Sequence, residues 1–344
     1  MRRSSFLPLL VCLALARPVH AQPEAPDTTA VGAIRSEARA VAPLAHSALA
    51  RAFLRAADAL PHVDTRIVYV DSSRAHAWTD AGAAVLPDTA RARLIRRELD
   101  EQFYYNTRYG SPLAYTRPLE LLAGHGVKSV DGLRLMDFGY GTVGHLRMLA
   151  SLGANVVGVE VDPLLRALYS GPNDQGMIAR SAQAAGRGKP GRLQLVDGRW
   201  PADEAARSAA GGSFDLVISK NTLKRGYIHP EREVNPRMLV HLGVDDSTYV
   251  AALAAVVKHG GWVLIYNLSP ALSKPDQPYL PWSDGRCPFE RGVLERAGFE
   301  VVLYDFDDGE AARAQGHALG WDAGPKPMDL ANDLFAHATL LRRL

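Results

Sequence analysis

The sequence predicts an α/β fold built on a seven-stranded, mainly parallel sheet, with a mostly helical region ahead of it. Two observations carry this. From residue 133 onward, seven apolar runs alternate with helical stretches: "LRLMDF", "ANVVGVE", "RLQLVD", "FDLVIS", "GGWVLIYNL", "FEVVLYDF" and "HATLLRRL". Strands that alternate with helices in this way make parallel sheets covered on both faces, and ligands bind outside the carboxyl ends of such strands. The front third lacks this rhythm and instead sets apolar residues at helical spacing. With 344 residues, a net charge of +2 and 47% hydrophobic against 22% charged residues, the chain is globular and neither disordered nor nucleic-acid-coating.

Taken in order, residues 1–21 have a basic start, an apolar run over 6–16 and small residues at Val19 and Ala21, the layout of a secretory signal peptide. The run falls short of the ~20 residues that span a bilayer, and no later stretch is long and apolar enough. Export is therefore expected, with a cytoplasmic or membrane-tethered protein as the alternative if the segment is not cleaved. Cys12 lies in this leader, so Cys287 is the only other thiol and no intrachain disulfide or cysteine zinc site is expected. The histidines show no i, i+4 pair, and no metal is expected.

Residues 22–125 read as an accessory or cap region. A linker over 22–29 leads into one or two amphipathic helices interrupted near Pro43. "TRIVYV" and "HAWTDAGAAVL" are expected as strands about a turn at 71–73, and "DTARARLIRRELDEQFYY" as a helix capped by Asp88. Ser111 followed by Pro112 is a helix start. The main domain is then expected over 126–344.

The chemistry gathers at strand ends. Gly139, Gly141 and Gly144 follow the first strand and open a helix near His145, a G-x-G-x-x-G pattern that gives a tight turn and brings backbone close to an adenosine-containing cofactor. Asp137 lies two residues ahead of the first glycine, where a carboxylate would repel a pyrophosphate and attract a cationic cofactor such as S-adenosyl-L-methionine. Glu160 ends the second strand, where a carboxylate accepts hydrogen bonds from ribose hydroxyls. Asp197 and Gly198 end the third, within reach of an adenine.

At these residues the chain resembles the class I S-adenosylmethionine-dependent methyltransferases. "LMDFGYGTVG" looks like their first motif, "VVGVEVD" the segment after it, "LQLVDG" the adenine-side loop and "FDLVISKNTL" the fourth-strand motif that includes Ser219. The resemblance covers residue 133 to the C-terminus. It implies a Rossmann-like sheet with an antiparallel C-terminal strand, and S-adenosyl-L-methionine held by Asp137, Gly139, Gly141, Gly144, Glu160, Asp197, Gly198 and Ser219. Two departures matter. Tyr140 stands where the family often has a small residue, and "SKNT" replaces the Asn/Asp-Pro-Pro-aromatic run of enzymes acting on planar amide or adenine nitrogens, so that substrate class is not expected. In the family, segments before the first motif fold over the cofactor, and Tyr105, Tyr109 and Tyr115 are candidates for that role or for core packing.

Lys220, Asn221, Lys224 and Arg225 gather after the fourth strand as candidate substrate-binding residues, and a cationic rim there favours an anionic small molecule. The same charges would equally form a solvated loop paired with Glu231 and Glu233. Tyr227 and His229 are the candidate general bases. "NLSPALSKPDQPYLPWSDGRCPFE" is a candidate second wall of the pocket. The expected function is methyl transfer to a small-molecule acceptor, with no nucleic-acid partner. Two readings stand beside it. An exported, non-catalytic binding protein would explain a leader on a protein whose cofactor is made in the cytoplasm. A nicotinamide-dependent oxidoreductase would use the same glycines, but Asp137 and the reversed last strand speak against it.

Overall fold

The computed structural model describes residues 27–106, 110–182 and 188–344. Strands β1 (Arg66–Val70), β2 (Ala77–Thr79) and β3 (Ile95–Leu99) form a small antiparallel sheet ordered β2-β1-β3. The large sheet comprises β4 (Arg134–Phe138), β5 (Asn155–Glu160), β6 (Gly176–Ile178), β7 (Gly191–Asp197), β8 (Phe214–Lys220), β9 (Val257–Ser269), β10 (Phe299–Asp307) and β11 (Phe335–Arg343), in the order β10-β11-β9-β8-β4-β5-β7-β6. Strands β4, β5, β7, β8 and β9 run parallel. Strand β11 is inserted antiparallel between β9 and β10. This is the mixed α/β, Rossmann-like sheet that the sequence predicts, extended by one short edge strand, β6, paired antiparallel to β7.

The front region follows its sequence at the helices and departs from it at the strands. Helices Ala30–Val41 and Ala48–Arg55 are capped by the side chains of Thr29 and Ser47, which accept from Gly32 N and Ala50 N. A short 3-10 turn containing Pro43 separates them. The expected strand after His76 ends at Thr79, whose hydroxyl caps a helix over Asp80–Ala84 instead. The expected helix from Asp88 is broken: a turn of helix at Asp88–Arg91 is followed by β3 and then by helix Glu101–Asn106. Pairing with all five residues of β1 outweighs the helical propensity of "IRREL".

Pleating of β4 decides which layer each of its side chains meets. Met136 and Phe138 join Val157, Phe214, Tyr249 and Phe289 in one core. Leu135 faces the other core, shared by Leu146 and Leu149 with Val31, Phe53, Leu119 and Leu122. That second core runs unbroken from the helices ahead of residue 125 into the main sheet. Two buried ion pairs reinforce the join: Arg117 grips Asp308 with two hydrogen bonds of 3.0 and 2.6 Å, and Arg66 grips Asp174, which also accepts from the Tyr104 hydroxyl at 2.7 Å.

Candidate active site

A cavity of about 830 Å³ opens at the carboxyl ends of β4, β5 and β8, the position expected for a ligand in a sheet of this kind. Its walls include the loop after β4, Glu160, Trp200, Lys220, Tyr227 and Trp282. Gly139 and Gly141 both have positive φ, +74° and +60°, which a side chain disfavours. Gly139 also lacks room for one, since a Cβ there would lie 2.1 Å from Thr222 Oγ1. The Thr222 hydroxyl instead donates to the Gly139 carbonyl at 3.2 Å, tying the loop after β8 to the loop after β4. Gly144 opens helix Gly144–Ser151, where a Cβ would press on Pro112 and Tyr105. Tyr140 is accommodated by a second glycine, because a Cβ on Gly158 of β5 would lie 2.8 Å from its ring.

Glu160 stands on the cavity wall and accepts from the amides of Val161 (2.8 Å), Asp162 (3.3 Å) and Gly141 (3.3 Å). Burial pushes its carboxyl above the ordinary value and the amide donors pull the other way. Asp137 is buried beneath the loop and does not itself line the cavity. Its Oδ2 accepts from His145 Nε2 at 2.8 Å, Oδ1 has no well-formed hydrogen bond, and the Tyr115 hydroxyl lies near the carboxylate, which raises the Tyr115 pKa further on top of burial. Burial holds the His145 imidazole below its ordinary pKa, more than Asp137 raises it, so the ring is neutral with its proton on the nitrogen facing the carboxylate. Tyr115 stacks on His145, ring centroids 3.6 Å apart, and reaches the cavity wall. Tyr105 is core, its hydroxyl donating to the Pro61 carbonyl at 2.5 Å. Tyr109 and the leader over 1–21 lie outside the described residues.

The cationic stretch divides. Lys220 and Lys224 are both buried on the cavity wall. The Lys224 ammonium donates to the carbonyls of Leu268 and Trp282, and burial, with Lys220 adding to it, pushes its pKa down to about 7. Asn221 lines the cavity in a left-handed conformation (φ 63°) and accepts from Leu268 N at 2.7 Å. Arg225 is turned away toward Asp284, 4.0 Å distant, and does not line the cavity. Glu231 pairs with Arg286 at 3.1 Å and not with the lysines. Tyr227 is on the wall, with burial raising its hydroxyl pKa. His229 is exposed, pairs with Asp246 at 2.9 Å and lines a separate hollow. Ser219 donates to the Phe138 carbonyl at 3.1 Å and fastens β8 to β4 from within the sheet. Asp197 pairs with Arg166 outside the cavity, while Gly198 lines it.

Further wall residues carried no motif. Arg199 and Trp200 follow Gly198, and Arg237 to His241 come from the long connection after β8. Pro270 and Trp282 come from the Pro- and Trp-rich segment after β9, as expected for a second wall. Among the described residues no group of three or more His, Cys, Asp or Glu side chains is placed to hold a metal ion, and no helix is long and apolar enough to cross a membrane.

No protein-family profile and no curated protein matches the chain. Among solved structures, it is similar to the Haemonchus contortus phospholethanolamine N-methyltransferase 2 in complex with phosphomonomethylethanolamine and S-adenosylhomocysteine, at 15% identity over 73% of this chain and 62% of that one, TM-score 0.38. It is also similar to the 4+2 cyclase SpnF, at 16% identity over 93% and 97%, TM-score 0.37. A third is an S-adenosylmethionine-dependent methyltransferase from Mesorhizobium loti, at 15% identity over 67% and 98%, TM-score 0.36. Likeness at this level carries no argument, and the functional reading rests on the site.

Proposed function

We propose that the cavity binds S-adenosyl-L-methionine and that the protein transfers its methyl group to a small-molecule acceptor. The observation that carries this is Asp137, a buried and half-partnered carboxylate directly beneath a glycine loop, in a sheet whose last strand is reversed. Its carboxylate, only partly offset by the nearby Lys220 ammonium, lends the underside of the loop a negative charge in a medium of low dielectric, which suits a cationic cofactor better than a pyrophosphate. Gly139 and Gly141, both at positive φ, let the loop backbone approach a ligand closely. Glu160 can exchange its amide donors for ribose hydroxyls.

When bound, the cofactor supplies a methyl group on a cationic sulfur. The chain's residues hold and orient the reactants, and orientation supplies much of the acceleration in such a transfer. Trp200, Tyr227 and Trp282 form aromatic walls that exclude water and position an acceptor. Tyr227, with its raised pKa, is a hydrogen-bond donor at neutral pH and not a base. Lys220 and Lys224 give the wall its cationic character and favour an anionic acceptor. We retain the leader over 1–21 and export as part of the proposal, to be checked by N-terminal sequencing of the protein from its native host.

The test is calorimetric titration with S-adenosylhomocysteine and, separately, NADH. Micromolar binding of the first alone is expected. Glu160→Ala should weaken it by about 1–3 kcal/mol, the loss associated with hydrogen bonds to charged groups, and Asp137→Ala should weaken it too, through loss of the charge beneath the loop. Binding of NADH alone would replace the proposal with an oxidoreductase, and binding of neither by folded protein would favour the non-catalytic exported reading.

A further inference from the structure

Lys220 is the last residue of β8 and only 8% exposed, yet it lines the cavity. Among the described residues its ammonium group makes no hydrogen bond, and its near neighbour is the face of the Tyr115 ring, 5.6 Å away. The other buried cations are engaged: Lys224 with two carbonyls, Arg117 with Asp308. A largely buried side chain whose ammonium opens onto a cavity with no protein acceptor points to a ligand atom that completes it.

We propose that Lys220 forms a carboxylate subsite in the cavity. The charges around it select this class over phosphate. Asp137 on β4 already offsets part of its charge from behind. Lys224 is committed elsewhere, His145 is neutral, and Tyr115 offers a ring face. With the Asp137 carboxylate close by, a singly charged carboxylate meets less repulsion at this ammonium than a doubly charged phosphate would. Burial pushes Lys220 down to about 8, with Asp137 opposing, so a carboxylate arriving near pH 8 should raise the pKa and draw in a proton. Two sources supply this chemistry: the amino-acid end of the methyl donor, which rests on the function proposed above, or a carboxylate on the acceptor.

The experiment compares S-adenosylhomocysteine with 5′-methylthioadenosine, which lacks the amino-acid end, by calorimetry on wild type, Lys220→Met and Lys220→Arg. Benzoate is then titrated into the free and the S-adenosylhomocysteine-loaded proteins. If the donor supplies the carboxylate, Lys220→Met weakens S-adenosylhomocysteine about tenfold or more and leaves methylthioadenosine unchanged. Lys220→Arg should restore part of the loss, and proton uptake on binding near pH 8, read from buffers of different ionisation enthalpy, should vanish in Lys220→Met. If the acceptor supplies it, S-adenosylhomocysteine binds all three proteins alike and millimolar benzoate binding is lost in Lys220→Met. Lys220-independence in both titrations, with circular dichroism and Tm unchanged, would overturn the subsite. Wild type that binds neither nucleoside refutes the methyl-donor reading instead, and benzoate binding by the free proteins then decides the subsite by itself.

Discussion

Lys224 is a cation held where charge is expensive, and the cost has a definite pH dependence. Its folded-state pKa of about 7 lies below the ordinary lysine value of 10.5, so the unfolded chain binds the extra proton between these limits. Stability therefore rises with pH across that window as the penalty fades, and the full penalty is present below about 7. Between pH 7 and 9 the difference in unfolding free energy between wild type and Lys224→Met should move by about 2 kcal/mol in favour of wild type, at roughly 1.36 kcal/mol per unit of pKa difference. Urea denaturation at the two pH values measures it, and a constant difference would mean that Lys224 is solvated. Residues of this kind were legible as a cluster but not as individuals. "SKNTLKR" announces charge at a strand end, yet nothing in it tells that Lys224 finds carbonyls of the segment after β9, or that Arg225 turns to Asp284. Those partners are 44 to 59 residues away in sequence, beyond any local pattern.

The element that organises the site is the loop between β4 and the helix Gly144–Ser151, and its glycines were legible because each serves a local backbone need. Gly139→Ala would place a methyl group in a left-handed conformation and against Thr222, 2.1 Å from its hydroxyl oxygen. A loss of about 1–3 kcal/mol in stability is expected from the strain, with S-adenosylhomocysteine binding reduced more than Tm alone implies, since the loop after β8 is displaced too. Wild-type binding and Tm together would show that the loop does not approach Thr222 as described. The strands of the main sheet were equally legible, since buried parallel strands read as continuous apolar runs. Strand β3 was not: its first four residues are exposed and only Leu99 is buried, so it carries neither alternation nor an apolar run. Its existence depends on β1, whose register no local signal in "IRREL" encodes. Strand β6, three residues long at a sheet edge, is hidden for the same reason.

At the scale of the whole molecule, composition divides the chain near residue 125, whereas the core does not. Leu119 and Leu122 pack in the same cluster as Leu146, Leu149 and Leu340, and the Gln315 side chain donates to the Leu113 carbonyl at 2.8 Å. The Arg117–Asp308 pair lies across this join, its carboxylate 5% exposed and also held by the Tyr266 hydroxyl at 2.9 Å. Tyr115, two residues before Arg117, covers His145 above the buried Asp137, so the front region reaches into the candidate site as well as the core. Arg117→Ala leaves the Asp308 carboxylate buried without its countercharge and should cost about 3–5 kcal/mol, whereas Arg117→Lys, which keeps the charge but not the two-pronged geometry, should cost less. Because one core serves both regions, the loss should appear as a single shifted unfolding transition, the same by far-ultraviolet circular dichroism and by tryptophan fluorescence. Two separated transitions in Arg117→Ala would instead mean that the front region is an independent cap, and a cost below about 1 kcal/mol would mean that the pair behaves as a surface salt bridge.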